Sequence, residues 1–166
     1  QKFESFITNY KRYFNFSYLF LNGDQNSRAS VKVIGQFYKI DLVLSIFGFL
    51  FLITKKRWKE FLVLVVWLIF SPVAGAISSI EPSAIRGIFM IGPVILLSGG
   101  GVGAITSTLK KGIYRVFVLT IIILALFVEV FGYLKYYYTI YAKNEAIEWQ
   151  YGMKQVIDYL EKNPNY

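Results

Sequence analysis

The sequence predicts an all-α integral membrane protein with four transmembrane helices, flanked by an outer amphipathic N-terminal helix and an outer C-terminal helix. Three observations carry that reading. Four apolar runs, residues 38–54, 61–79, 88–106 and 116–134, hold 17 to 19 residues each, close to the roughly 20 residues of helix that cross a ~30 Å hydrocarbon layer. The chain of 166 residues is 55% hydrophobic with a mean hydropathy of +0.48, and a soluble core of this size does not need four near-continuous apolar runs. Short basic clusters follow the first and third runs. The expected organisation is an extracytoplasmic juxtamembrane helix and loop (1–37), a four-helix transmembrane region (38–135) and the start of an extracytoplasmic C-terminal segment (136–166).

The first element is an outer helix. Phe3, Phe6, Ile7, Tyr10 and Phe14 recur at one helical face, with Lys2, Glu4, Lys11 and Arg12 mostly elsewhere, a pattern suited to the membrane interface or to packing on a folded domain. A polar loop follows, reading Phe20-Leu21-Asn22-Gly23-Asp24-Gln25-Asn26-Ser27-Arg28-Ala29-Ser30, rich in turn formers. It offers Arg28, a bidentate donor suited to phosphate, with Asp24 and Asn26 as groups to orient the loop. Read as a bare pattern, it is a solvated loop.

The first apolar run opens with Asp41 at its interfacial start and ends in Lys55-Lys56-Arg57-Trp58-Lys59-Glu60. The second contains Pro72 and the third Pro93, each expected to kink its span. Between them, residues 80–87 form a short outer loop. That length puts Arg86 at the mouth of the two spans, where it either snorkels or binds an anion. In the third run, Ser98-Gly99-Gly100-Gly101-Val102-Gly103 contains a Gly-x-x-x-Gly spacing that permits close helix approach. No Gly-Lys-Ser/Thr follows, so this is not a phosphate-binding loop. The fourth run holds Glu129, the acid well inside a span. Such an acid is costly, so it marks either function or a structural pair with Lys135 or Arg86. In the tail, Trp149, Met153, Val156 and Leu160 share a helical face. Asn144 is the expected N-cap of a helix of about 18 residues that Pro164 ends.

Charge gives an orientation. The two short loops around 55–60 and 110–115 hold Lys55, Lys56, Arg57, Lys59, Lys110, Lys111 and Arg115, seven of the 18 basic residues, against one acid, Glu60. The positive-inside bias puts both loops in the cytoplasm and the two termini with loop 80–87 outside. Phe37, Tyr38, Tyr133 and Tyr136 to Tyr138 cluster at the outer boundary, and Trp58 and Tyr114 at the inner one, where amphipathic rings settle. The net charge of +8 would suggest nucleic acid in a soluble protein. Here it follows topology, and no nucleic-acid partner is expected. The chain has no Cys and no His, which excludes disulfides, thiolate metal sites, Cys nucleophiles and His bases within it. No metal site and no cofactor are expected in this stretch. The first residue is Gln1 and the last six break off after a helical pattern, so we expect a fragment of a longer protein, truncated at both ends.

The order of pieces carries a resemblance. The aromatic-rich outer helix is followed by the loop at residues 20–28, a span opening with Gly35-Gln36-Phe37-Tyr38, an outer loop with Ala84-Ile85-Arg86 and a tail reading Glu148-Trp149-Gln150-Tyr151-Gly152. This resembles the C-terminal half of polyprenol-phosphate-sugar-dependent glycosyltransferases with the GT-C fold, relatives of the dolichyl-phosphate-mannose–protein mannosyltransferases and the aminoarabinose transferases of lipid A. The resemblance implies that a sugar leaves a polyprenyl-phosphate carrier on the outer membrane face and joins an acceptor protein, lipid or glycan. It implies a multi-pass protein of the plasma or inner membrane whose partners are membrane lipids, the lipid-linked sugar and the acceptor. The family's acidic base lies in a first outer loop nearer the N-terminus than these residues, so no catalytic residue is assigned. Where relatives often carry His beside the loop arginine, this chain has Ala29. Arg28 and Arg86, with Lys32, are the candidates for binding the carrier's phosphate, because preorganised cations stabilise a phosphate leaving group. Two other readings are a transporter subunit, which needs a polar path through the bilayer, and a non-catalytic membrane anchor or assembly module, which predicts that Arg28, Asp24 and Arg86 tolerate substitution.

Overall fold

The structure, a computed structural model, describes residues 2–78, 81–109 and 112–163. Ser79, Ile80, Lys110, Lys111 and Pro164, used in the reading above, lie outside the described residues. Helices are α1 (Lys2–Tyr13), α2 (Lys39–Thr54), α3 (Trp58–Phe70), α4 (Val73–Ser78), α5 (Ile91–Thr108), α6 (Ile113–Tyr136), α7 (Ala142–Asn144) and α8 (Met153–Lys162), and the described residues contain no strand. Three helical stretches are long and apolar enough to cross a membrane: Trp58–Ser78, Ile88–Thr108 and Ile113–Asn144. The first apolar run gives α2, a helix of 16 residues, about 24 Å at 1.5 Å per residue. It falls short of those three.

Pro72 does what its ring requires. It lacks an N–H, α3 stops at Phe70, and the helix resumes as α4 at Val73. Beside the break the Tyr10 hydroxyl donates to the Ile69 carbonyl oxygen at 2.8 Å. Pro93 does not interrupt its helix. It sits in the first turn of α5 after a 3-10 turn at Ile88–Met90, where its missing N–H has no intrahelical acceptor to lose.

α2 and α5 run parallel and form the most extensive helix contact in the molecule. The seam is tight because two glycines face each other. A Cβ on Gly48 would stand 2.0 Å from the Leu97 carbonyl oxygen, and one on Gly101 1.9 Å from that of Leu44. The Ser45 and Ser98 hydroxyls meet at 3.0 Å in the same seam. The glycine-rich run therefore packs closely, but through Gly101. Gly99 and Gly103, the pair at Gly-x-x-x-Gly spacing, face open space.

The densest packing is at one end of the bundle. Tyr13 is wholly buried and, with Tyr18, Phe37, Ala76 and Met90, forms a cluster against which Phe6, Tyr10, Leu19 and Phe20 pack. The apolar face of α1 is thus divided. Phe6 and Tyr10 close onto the bundle end, and Phe3 is exposed. Phe37 belongs to this core rather than to an interfacial belt. In contrast, α6 buries only Ile122 along its 24 residues.

The tail departs from its expected form. Asn144 ends α7, a continuation of α6 through a π-helical turn, and caps no later helix. Gln150 and Gly152 take left-handed φ values of 56° and 95°, which break the stretch into a 3-10 turn at Ala146–Trp149 and the ten-residue α8. The physical reason is local: the Gly152 backbone supplies a turn where the side-chain pattern alone continues a helix.

Candidate functional site at the loop end of the bundle

Loop 22–30 is shaped by its own side chains. Gly23 has φ 69°, and a Cβ there would lie 2.6 Å from the Ile34 carbonyl oxygen. Asp24 Oδ1 accepts the Asn26 N–H at 2.8 Å, and Asn26 Oδ1 accepts the Arg28 N–H at 3.0 Å. These are two successive Asx turns. The other Asp24 oxygen accepts the Ala84 N–H at 2.7 Å. One carboxylate therefore ties loop 22–30 to loop 81–87, and Arg28 and Arg86 stand at the same end of the bundle.

The candidate residues take different posts within that end. Arg28 turns to the tail: its Nε donates to the Glu148 carbonyl oxygen at 2.9 Å and stands 3.7 Å from Glu148 Oε2, with the Arg28 side chain 57% exposed. Lys32 reaches Glu145 Oε1 at 3.8 Å and holds a left-handed φ of 63°, an uncommon backbone state for a residue with a side chain. Arg86 points away from both, donating from Nη1 to the Ser78 carbonyl oxygen at 3.0 Å at the end of α4. Asp24 and Asn26 hold the loop backbone, and they order Arg28 through its N–H rather than through the guanidinium. Burial pushes the neighbouring Tyr18 phenol well above its ordinary value, with Tyr13 and the Asp24 carboxylate adding to the shift.

Glu129 meets neither Lys135 nor Arg86. Its Oε2 accepts the Ile40 N–H at 3.5 Å, so the acid faces the N-terminus of α2, where unpaired N–H groups and the helix dipole favour a negative charge. This long contact joins α6 to the start of α2.

Two cavities open at this end of the bundle; Arg28, Lys32 and Arg86 line neither of them, and Lys39 lines the second. One of about 350 Å³ lies between residues 29–38 and the walls of α5 and α6, lined among others by Ser30, Gln36, Tyr38, Asp41, Ile95 and Tyr133. The other, about 240 Å³, shares Ile34, Phe37, Tyr38 and Tyr133 with it and reaches Glu129. Each combines apolar walls with a few polar groups, the make-up of a small-molecule site. The described residues hold no cluster of three His, Cys, Asp or Glu fit for a metal.

Sequence reasoning missed the tail's part in this end. Glu145 and Glu148 are the acids that face Lys32 and Arg28. Tyr141 is buried, donates to the Ser27 carbonyl oxygen and accepts the Trp149 Nε1–H. Trp149 thus anchors the tail to Tyr141 instead of packing inside a tail helix. The tyrosine spacing gave a signal of a stacked face, since Tyr133, Tyr137 and Tyr141 stack in turn at 6.0 and 5.2 Å with i,i+4 spacing. Nothing in the sequence pointed from that face to loop 22–30.

Comparison with protein-family models, with curated proteins and with solved structures finds no match to this chain.

Proposed function

We propose that this chain is part of a membrane glycosyltransferase that moves a sugar from a polyprenyl-phosphate carrier to an acceptor on the extracytoplasmic face. The observation that carries the reading is the Asp24–Ala84 tie, which brings the loops bearing Arg28 and Arg86 to the one end of the helical bundle where two cavities with apolar walls open. A carrier lipid needs that combination: cations for a phosphate at the water boundary, and an apolar groove leading away from it.

The four-span topology belongs to the same proposal. α2 is short, yet it lies parallel to α5 in a constant register, with Ser45 opposite Ser98 and Gly48 opposite Gly101. A helix that crosses with α5 takes α2 across beside it. The basic turn after α2 then lies on the cytoplasmic side, and the termini and both arginine loops outside.

Arg28 faces the exposed Glu148 carboxylate at 3.7 Å, beside its bond to the Glu148 backbone carbonyl, and Lys32 faces the partly exposed Glu145 carboxylate at 3.8 Å. Such pairs contribute little, roughly 0–1 kcal/mol, so a phosphate with two or three strong acceptor oxygens displaces them. Arg86 keeps donors free beyond the one given to Ser78, since a guanidinium carries five N–H groups.

The test uses the full-length protein in proteoliposomes with a polyprenyl-phosphate sugar. Arg28→Ala lowers kcat/KM for the lipid donor by about tenfold or more, the worth of a charge-assisted hydrogen bond of about 1.5–3 kcal/mol. Glu148→Gln lowers the donor KM by removing the competing carboxylate. Solute movement without consumption of lipid-linked sugar replaces this reading with a transporter. Unchanged turnover after substitution of Arg28, Asp24 and Arg86 replaces it with an anchor module.

A further inference from the structure

At the end of the bundle opposite the arginine loops, α3 stands away from the α2–α5 pair. Near the loop end α3 and α5 are closed on each other: a Cβ on Gly92 would lie 2.4 Å from the Trp67 ring. Toward the start of α3 they separate, and a cleft of about 510 Å³ opens between Gly48, Leu52, Val63, Leu64, Leu96 and Gly100. Two of those six are glycines, so the floor is bare backbone and the walls are aliphatic. This volume lies within the ~300–1,000 Å³ of small-molecule sites.

The mouth of the cleft is charged. Arg57, Lys59 and Glu60 line it, and residues 55–60 carry Lys55, Lys56, Arg57 and Lys59 against the single acid Glu60. Arg57 gives Nε and Nη2 to Glu60 Oε1 at 2.9 and 2.6 Å, and its side chain stays 52% exposed. The turn that presents these cations is fixed by the backbone. The Arg57 N–H returns to the Leu52 carbonyl oxygen at 2.9 Å and that of Lys56 to Ile53 at 3.0 Å, the pattern of a Schellman motif. Lys56 takes the left-handed position, φ 53°, that glycine ordinarily fills. A lysine there accepts backbone strain and adds positive charge to the turn that leads into the rim. Trp58, half exposed and edge-on to Phe61 at 5.8 Å, marks this level as a membrane–water boundary.

We propose that this cleft is a binding site for an anionic phospholipid of the surrounding bilayer, with one acyl chain between α3 and α5 and the headgroup phosphate at Arg57 and Lys59. Charge complementarity selects the occupant: an aliphatic slot under a rim of excess positive charge fits an anionic diacyl lipid, and a zwitterionic one offers no net charge to that rim. The site is remote from the arginine loops and does not rest on the glycosyltransferase reading.

The test measures retention of phosphatidylglycerol and of phosphatidylcholine with identical acyl chains by the full-length protein, read by native mass spectrometry from mixed micelles. Phosphatidylglycerol is retained several-fold more strongly. Lys59→Gln weakens its binding about fivefold, the effect of one surface cation, and leaves phosphatidylcholine unchanged. Lys154→Gln, an equal charge loss on α8, changes neither. Val63→Trp, a substitution at an exposed lining position, weakens both lipids by filling the slot. Glycerol phosphate without acyl chains does not compete. Equal retention of the two lipids overturns the proposal, as does equal loss from Lys59→Gln and Lys154→Gln. So do an unchanged affinity in Val63→Trp and competition by glycerol phosphate matching that of the lipid.

Discussion

The Asp24 carboxylate is 4% exposed, and its two oxygens accept N–H groups from Asn26, within its own loop, and from Ala84, 60 residues further along the chain. A buried carboxylate with two backbone donors is stable where it stands, and costly to replace by a group that leaves those donors unpaired. Asp24→Asn sets an amide against one of the two N–H groups and costs about 1–3 kcal/mol. Asp24→Ala costs more, since both donors lose their partner. Thermal unfolding in detergent reads the difference as a fall of about 2–4 °C per kcal/mol for a chain of this size. A melting temperature unchanged by Asp24→Ala removes the tie between the loops. The type of residue was legible in the sequence, because Asp after Gly in a polar stretch marks a turn. Its partner at Ala84 was not, because a backbone N–H leaves no mark on a side-chain pattern.

At the scale of elements, the α2–α5 seam depends on two missing side chains. Gly48→Ala or Gly101→Ala drives a methyl into a carbonyl about 2 Å away and forces the helices apart, at about 1–3 kcal/mol. Gly99→Ala and Gly103→Ala meet nothing within 4 Å and are neutral or gain the roughly 0.5–1 kcal/mol of helix propensity that glycine forfeits. Denaturation of the four variants in one detergent orders them, and equal loss at Gly99 and Gly48 contradicts the seam. The Gly-x-x-x-Gly spacing pointed to the right helix and the wrong face. Four glycines within five residues spread over more than one helix face, and only the neighbour's position selects one. Pro72 and Pro93 differ for the same kind of reason. Each removes an N–H, but one does so in the middle of a helical span and the other in a first turn.

For the whole molecule, the proposed four crossings make a geometric prediction. The chain has no cysteine, so single replacements Arg28→Cys, Arg86→Cys and Lys56→Cys label on a clean background. In sealed vesicles a membrane-impermeant maleimide reaches Arg28→Cys and Arg86→Cys from one face and Lys56→Cys from the other. Labelling of Arg28→Cys and Lys56→Cys from the same face removes the crossing by α2. Labelling of Arg28→Cys and Arg86→Cys from opposite faces breaks the proposed carrier site.

By itself the sequence determined the class. Long apolar runs have only one economical conformation in hydrocarbon, the helix that satisfies its own backbone, and three of the runs fold as helices able to cross a membrane. The sequence also located the aromatic helix, the turn-rich loop and the cations, since each is a property of neighbours in the chain. Tertiary structure decided which of them meet: Asp24 with Ala84, Arg28 with Glu148, Glu129 with the start of α2, and Gly48 with Gly101. Those contacts join residues 53 to 120 positions apart. Periodicity records which face of an element is apolar; it does not record what that face will touch.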